Sequence, residues 1–76
     1  MIAKVILWSN GLVMVFDKDG NQLPYFQGPK HHATQRLRQE NLEETQFFIG
    51  SWQDLSKLLT MTKQQFFSEP WGDYNE

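Results

Sequence analysis

Cysteine is absent from all 76 residues. That excludes a disulfide framework, a cysteine-based zinc site and thiol chemistry. Long apolar runs are missing too. Val5-Ile6-Leu7-Trp8 and Leu12-Val13-Met14-Val15-Phe16 are short, against about 20 residues for a membrane-spanning helix and about 7–15 for the apolar stretch of a secretory signal. Neither sign of charge dominates. A net charge of −2 argues against a protein that coats nucleic acid and is too mild for a strongly acidic DNA mimic. Charged residues make up 21% and hydrophobic residues 39%, which does not fit a highly charged disordered chain. The expectation is one small cytoplasmic domain with no membrane contact, and a domain this small buries only about 60% of the surface its unfolded chain exposes.

Aromatic residues are what the chain has in excess: three Trp, two Tyr and six Phe. Their placement follows from the order of elements. Ala3–Ser9 and Leu12–Phe16 are rich in β-branched and aromatic residues and flank Asn10-Gly11. That pattern predicts a hairpin with a two-residue turn. In that register Trp8 faces Val13 and Leu7 faces Met14, so Trp8, Val13, Ile6 and Val15 share one face. Val5, Leu7, Leu12, Met14 and Phe16 share the other. Both faces are apolar, and both need cover. Asp17-Lys18-Asp19-Gly20-Asn21 is a second turn. Gln22–Gln27 are expected to return as an edge strand, because Pro24 cannot donate to a ladder.

Helical propensity covers residues 30–41, with Ala33 and Leu37 on one face and Leu42 just beyond. Thr45–Gly50 is a short fourth strand or an extended linker. Ser51-Trp52-Gln53-Asp54 has the form of a helix cap, with Trp52, Leu55, Leu58 and Leu59 at helical spacing. Thr62-Lys63-Gln64-Gln65 repeats the capping pattern before Phe66 and Phe67. The expected fold is therefore α+β: an antiparallel meander of three to four strands packed by two to three short helices. The single domain 1–76 divides into a β-meander (1–28), helices with a short fourth strand (29–69) and a tail (70–76).

Catalytic and metal chemistry find little support. An EF-hand places glycine sixth and a bidentate glutamate twelfth. Aligning Gly20 sixth puts Val15 first and Phe26 twelfth, and neither offers a side-chain oxygen. His31 and His32 are the only histidines, and neighbours on a helix point about 100° apart. A zinc site needs about four converging ligands, so neither metal nor cofactor is expected. No serine sits in a G-x-S-x-G setting, and there is no phosphate-binding glycine loop. The chain reads as a non-enzyme.

Two segments remain as candidate contacts. Lys30, His31, His32, Arg36 and Arg38 form a basic stretch without an acid, followed by Glu40, Glu43 and Glu44. That order opposes the helix dipole. It suits an ordinary solvated face, an acidic protein surface or a phosphate backbone. The aromatics are not interleaved with these bases, as they are in single-strand binders, so nucleic acid is the lesser alternative. Phe16, Phe47, Trp52 and Phe66 fit a core. Trp8 and Val13 lie on the second hairpin face, and Trp71 and Tyr74 lie in the tail. Either the tail covers that face, or face and tail meet another chain. Trp and Tyr are enriched at binding hot spots, so these four are the candidate protein-binding residues, for a partner protein or for a homodimer.

Lys4 to Asp17, followed by Gly20, Gln22, Pro24 and Gln27-Gly28, resembles the start of small uncharacterised proteins of phages and other mobile bacterial elements. The resemblance spans about the first third of the chain and attaches no activity or site residues. It implies a bacterial or phage-infected host cell and, by analogy, an accessory protein that modulates a host protein.

Overall fold

A computed structural model describes residues 1–68, apart from the side chain of Leu55. It is α+β: a mixed five-stranded sheet and two helices. Strands β1 (Ile2–Trp8), β2 (Leu12–Asp17), β3 (Gly28–Pro29), β4 (Gln46–Ser51) and β5 (Asp54–Met61) lie in the order β3-β2-β1-β4-β5. Helix α1 (Lys30–Leu37) connects β3 to β4, and α2 (Lys63–Ser68) follows β5. The sheet is not an antiparallel meander. β1 runs antiparallel to β2 but parallel to β4.

The hairpin forms where expected, with a different register. Leu7 pairs with Val13, Ile6 with Met14 and Val5 with Val15. The loop has three residues, Ser9-Asn10-Gly11, closed by Gly11 N–H donating to the Trp8 carbonyl at 2.9 Å. Gly11 has φ +89°, the left-handed residue that three-residue hairpin loops require. Ser9 is held elsewhere. Its N–H donates to the Gly50 carbonyl at 2.9 Å, and its hydroxyl accepts from the Trp52 N–H at 2.8 Å. A strand has a side-chain period of two, so the one-residue change moves every β2 side chain to the opposite face. Val5, Leu7, Val13 and Val15 now line the helix side. Ile6, Trp8, Leu12, Met14 and Phe16 line the other.

The second turn forms as read. The Asp17 carboxylate accepts from the N–H groups of Asn21 and Asp19, both at 2.9 Å, and these bonds, the one from Asn21 foremost, hold its carboxyl below the usual value. Gly20 takes φ +86°. Gln22–Gln27 do not form a strand. Gln22 makes one bridge to Phe16, and Pro24–Phe26 then wind into a single 3-10 turn. Proline suits a first helical position better than a ladder. The Gln27 side chain substitutes for the missing strand, accepting the Val15 N–H at 3.1 Å.

Helix α1 ends at Leu37 rather than residue 41, and it buries Ala33 and Leu37. With Leu42, Ile2, Val5, Leu7, Val13, Val15, Phe47 and Phe66 they form the core. Phe66 of α2 lies on Phe47 of β4, ring centroids 5.1 Å apart, so both helices pack on one face of the sheet.

Residues 54–61 form a strand, not the helix their propensity suggests. At Ser51 the hydroxyl accepts from Gln53, two residues on, and Asp54 accepts from the Ser56 N–H and hydroxyl. These are local turn bonds rather than a capping box. The strand pairs Leu59 with Ile49 and Met61 with Phe47, satisfying the free side of β4, and that long-range pairing overrides intrinsic preference. The cap at Thr62 is present: its hydroxyl accepts from Gln65 N–H at 3.0 Å, and Gln65 Oε1 accepts from Thr62 N–H at 2.8 Å. Thr62→Ala should cost about 1 kcal/mol, read as a lower denaturation midpoint with an unchanged slope. Gly50 is packed shut. A Cβ there would lie 2.6 Å from Leu58 Cδ2 and 2.6 Å from Trp8 Cζ3. Gly50→Ala should destabilise by about 1–3 kcal/mol through overpacking, outweighing the roughly 0.4–1 kcal/mol gained from a less flexible unfolded chain. Thermal melting would show a drop of roughly 4–8 °C per kcal/mol in a domain of this size.

Candidate functional site: the open face of the sheet

Both helices lie on one side of the sheet, and no described element covers the other. That open face carries Lys4, Ile6 and Trp8 from β1, Leu12, Met14 and Phe16 from β2, Gln46, Phe48 and Gly50 from β4, and Leu58 and Thr60 from β5. The register places them together. Ile6 and Trp8 are buried because β1 is central, whereas Leu12 and Leu58 are exposed and Met14, Phe16 and Phe48 half-buried.

Trp8 is 7% exposed. Trp52, from the β4–β5 turn, packs edge-on against it with ring centroids 5.8 Å apart. Trp52 is 49% exposed, so it takes the accessible place at which Trp8 was expected. The Trp8 indole edge bearing Cε3 and Cζ3 faces Gly50, which turns Nε1, on the opposite edge, toward β2. Nε1 is fully buried, with no hydrogen-bond acceptor among the described residues. Trp8, Trp52, Leu12, Met14, Gln27 and Gly28 line a depression of about 310 Å³.

Lys4 is a charged side chain on this face, across from Gln46 of β4. Its Nζ sits 6.0 Å from the centroid of Phe16 and 5.8 Å from that of Phe48. Among the described residues the one ion pair is Lys57 with Asp54 at 3.7 Å, on the sheet edge. Ser56 donors hold the Asp54 carboxyl below its usual value.

The other candidates from sequence are dispersed. Val13 lies in the core at the opposite face, 1% exposed. Trp71 and Tyr74 lie outside the described residues. Lys30 is buried, with Nζ 5.2 Å from the Phe66 ring centroid. Arg36 stacks on Tyr25 at 4.5 Å and donates to the Tyr25 carbonyl at 2.7 Å. Arg38 lies 5.3 Å from the Phe67 ring centroid. His31 and His32 are exposed and touch each other edge to face, centroids 4.6 Å apart. His31, His32, Arg36 and Arg38 are all exposed on and just beyond α1.

A second depression, of about 420 Å³, lies between Met1, Phe26 and the Glu40–Glu44 turn. No group of three His, Cys, Asp or Glu side chains is placed to hold a metal among the described residues, and no described helix is long and apolar enough to cross a membrane. Leu12, Met14, Phe16, Phe48, Trp52 and Leu58 were not singled out by sequence as contact residues. The three-residue reading of Ser9-Asn10-Gly11 is the signal that puts the first three on the face of Trp8.

Removing the Trp52 ring should uncover Trp8. In Trp52→Ala the Trp8 indole proton should exchange with solvent at least about tenfold faster than in the parent, since exchange follows the cost of local opening. Indole N–H cross-peaks followed by NMR would show it, and an unchanged rate would mean that other groups shield Nε1. Comparison of the chain with protein-family models, with curated proteins and with solved structures finds no match.

Proposed function

We propose that the chain is a non-enzymatic protein-binding module whose contact surface is the open face of the sheet. One observation carries this reading: a sheet with two apolar faces has helices on only one of them. Leu12, Met14, Phe16, Phe48, Trp52 and Leu58 all keep accessible apolar surface there, and exposed apolar patches mark interaction sites. Trp52 over Trp8 supplies an aromatic anchor beside a pocket, the arrangement in which hot spots concentrate. The N-terminal resemblance to phage and mobile-element proteins supports a role as an accessory factor that modulates a host protein. The nucleic-acid alternative draws no support from the geometry of residues 30–38, where Lys30 is buried and both arginines are stacked.

The test is affinity capture from a bacterial lysate with mass spectrometry, comparing the parent chain with Met14→Glu and with Gln35→Glu on the exposed side of α1. The expected outcome is a partner retained by the parent and by Gln35→Glu but reduced at least about tenfold by Met14→Glu, the loss typical of a hot-spot change. Unchanged secondary structure in Met14→Glu would confirm that folding is intact. A partner lost through Gln35→Glu instead, or retained equally by all three, would contradict the assignment.

A further inference from the structure

We infer that the chain pairs with a second copy of itself, β5 antiparallel to β5, in a symmetric dimer centred on Leu59. The edge of the sheet, not its open face, carries this contact. One edge is closed: β3 is two residues long, and the Gln27 side chain accepts the Val15 N–H where a longer strand would pair. The other edge is β5, eight residues from Asp54 to Met61. A free edge is a template for another strand, and proteins usually blunt it with charge, proline, a bulge or shortness. In β5 these guards lie at the start. The register shift falls between the Ser51–Asp54 and Gly50–Leu58 pairs, and Lys57 pairs with Asp54. Leu58-Leu59-Thr60-Met61 has no charge and no proline.

The backbone of this stretch specifies its own partner. The Gly50 carbonyl accepts from Ser9 N–H on the β1 side. A strand residue turns its N–H and C=O to the same side, and the side alternates along the strand. Phe47 and Ile49 therefore turn toward β5, where they face Met61 and Leu59. Leu58 and Thr60 direct their N–H and C=O outward, and no described strand lies beyond them. The flanking outward donors are spent within the chain. Ser56 N–H goes to Asp54 Oδ1 at 3.2 Å, and Thr62 N–H goes to Gln65 Oε1 at 2.8 Å. Two donor–acceptor residues spaced two apart match themselves when the strand is reversed: Leu58 of each copy exchanges bonds with Thr60 of the other. Setting Leu58 against Leu58 would place Thr60 against Ser56, and setting Thr60 against Thr60 would place Leu58 against Thr62. Both alternatives meet a donor already taken.

The side chains fit the same register. Leu59, 70% exposed, meets its own copy as a non-hydrogen-bonded pair with Cα atoms about 4.5 Å apart. It shares the helix side with Met61, which packs against the core, so the pair continues the core layer across the junction. Lys57 falls opposite Met61, and no like charges face each other. The contact is short and belongs to the weak class that buries less than about 1,200 Å².

The test uses the full chain, which has no cysteine of its own. In a glutathione redox buffer, Leu59→Cys should form a disulfide dimer at least about tenfold faster than Gln35→Cys on the exposed side of α1. Paired strands hold the two thiols at high effective concentration and within the Cα separation of about 4.4–6.8 Å that a disulfide needs. Sedimentation of the parent over a concentration series should show a monomer–dimer equilibrium. Leu59→Lys sets like charges opposite each other at an already exposed position and should weaken that equilibrium at least about tenfold. Amide exchange at Leu58 and Thr60 should slow as the parent is concentrated. A parent that stays monomeric up to about 1 mM, a dimer that survives Leu59→Lys, or cross-linking of Leu59→Cys no faster than that of Gln35→Cys would each overturn the proposal. So would Leu58 and Thr60 amides already protected in the dilute monomer, since the chain would then cover its own edge.

Discussion

The parallel pairing of β1 with β4 is the constraint on which the rest of the structure depends. It puts β1 in the middle of the sheet, with hydrogen-bonded neighbours on both sides. It draws Ser9 toward Gly50 and Trp52, which lengthens the first loop and sets the faces of β2. It also leaves the far side of β4 free, and β5 takes that place although its sequence favours a helix. A parallel crossover needs a connection of a dozen or more residues, and residues 30–45 supply it, carrying α1 over one face. The two faces of the sheet are therefore unequal. One is closed by Ala33, Leu37, Leu42 and Phe66; no helix among the described residues covers the other.

Local chemistry was legible in the sequence. Asn10-Gly11 and Asp17–Asn21 turn where their side chains and glycines allow. Ala33, Leu37 and Leu42 are buried as their spacing indicates, and Thr62 with Gln65 forms a reciprocal cap. Long-range chemistry was not legible. Ser9 meets Trp52 across 43 residues, and nothing within the hairpin signals that contact. The loop is one residue longer than the Asn10-Gly11 signal predicts, and Val13 lies on the core face rather than beside Trp8. Residues 54–61 show the same limit, since their strand exists because β4 presents an edge. Pro24 carried two meanings, edge strand and helical first turn, and the short span between Asn21 and Gly28 favoured the second.

The candidate site was half legible. That the hairpin has two apolar faces, and that one must find cover outside the hairpin, follows from its composition alone. Which residues stand on that face depends on the register, and the accessible tryptophan proved to be Trp52 rather than Trp8. In the basic segment 30–38 the cations meet aromatic rings, which the charge run alone does not signal. Arg36 and Arg38 lie against Tyr25 and Phe67, and Lys30 lies against Phe66, contacts open to cations on any aromatic surface. These cations fasten the helix layer to the aromatic excess of the chain. Lys4 is the basic side chain left standing on the open face.

The central claim is that this face is uncovered in the free protein, and side-chain accessibility in solution measures it directly. A soluble paramagnetic agent should strongly broaden the methyl resonances of Leu12, Met14 and Leu58 and leave those of Val13, Val15 and Leu37 sharp. Methyl groups of Leu12 and Met14 as protected as those of Val13 would mean that the face is already occupied, and would contradict the account.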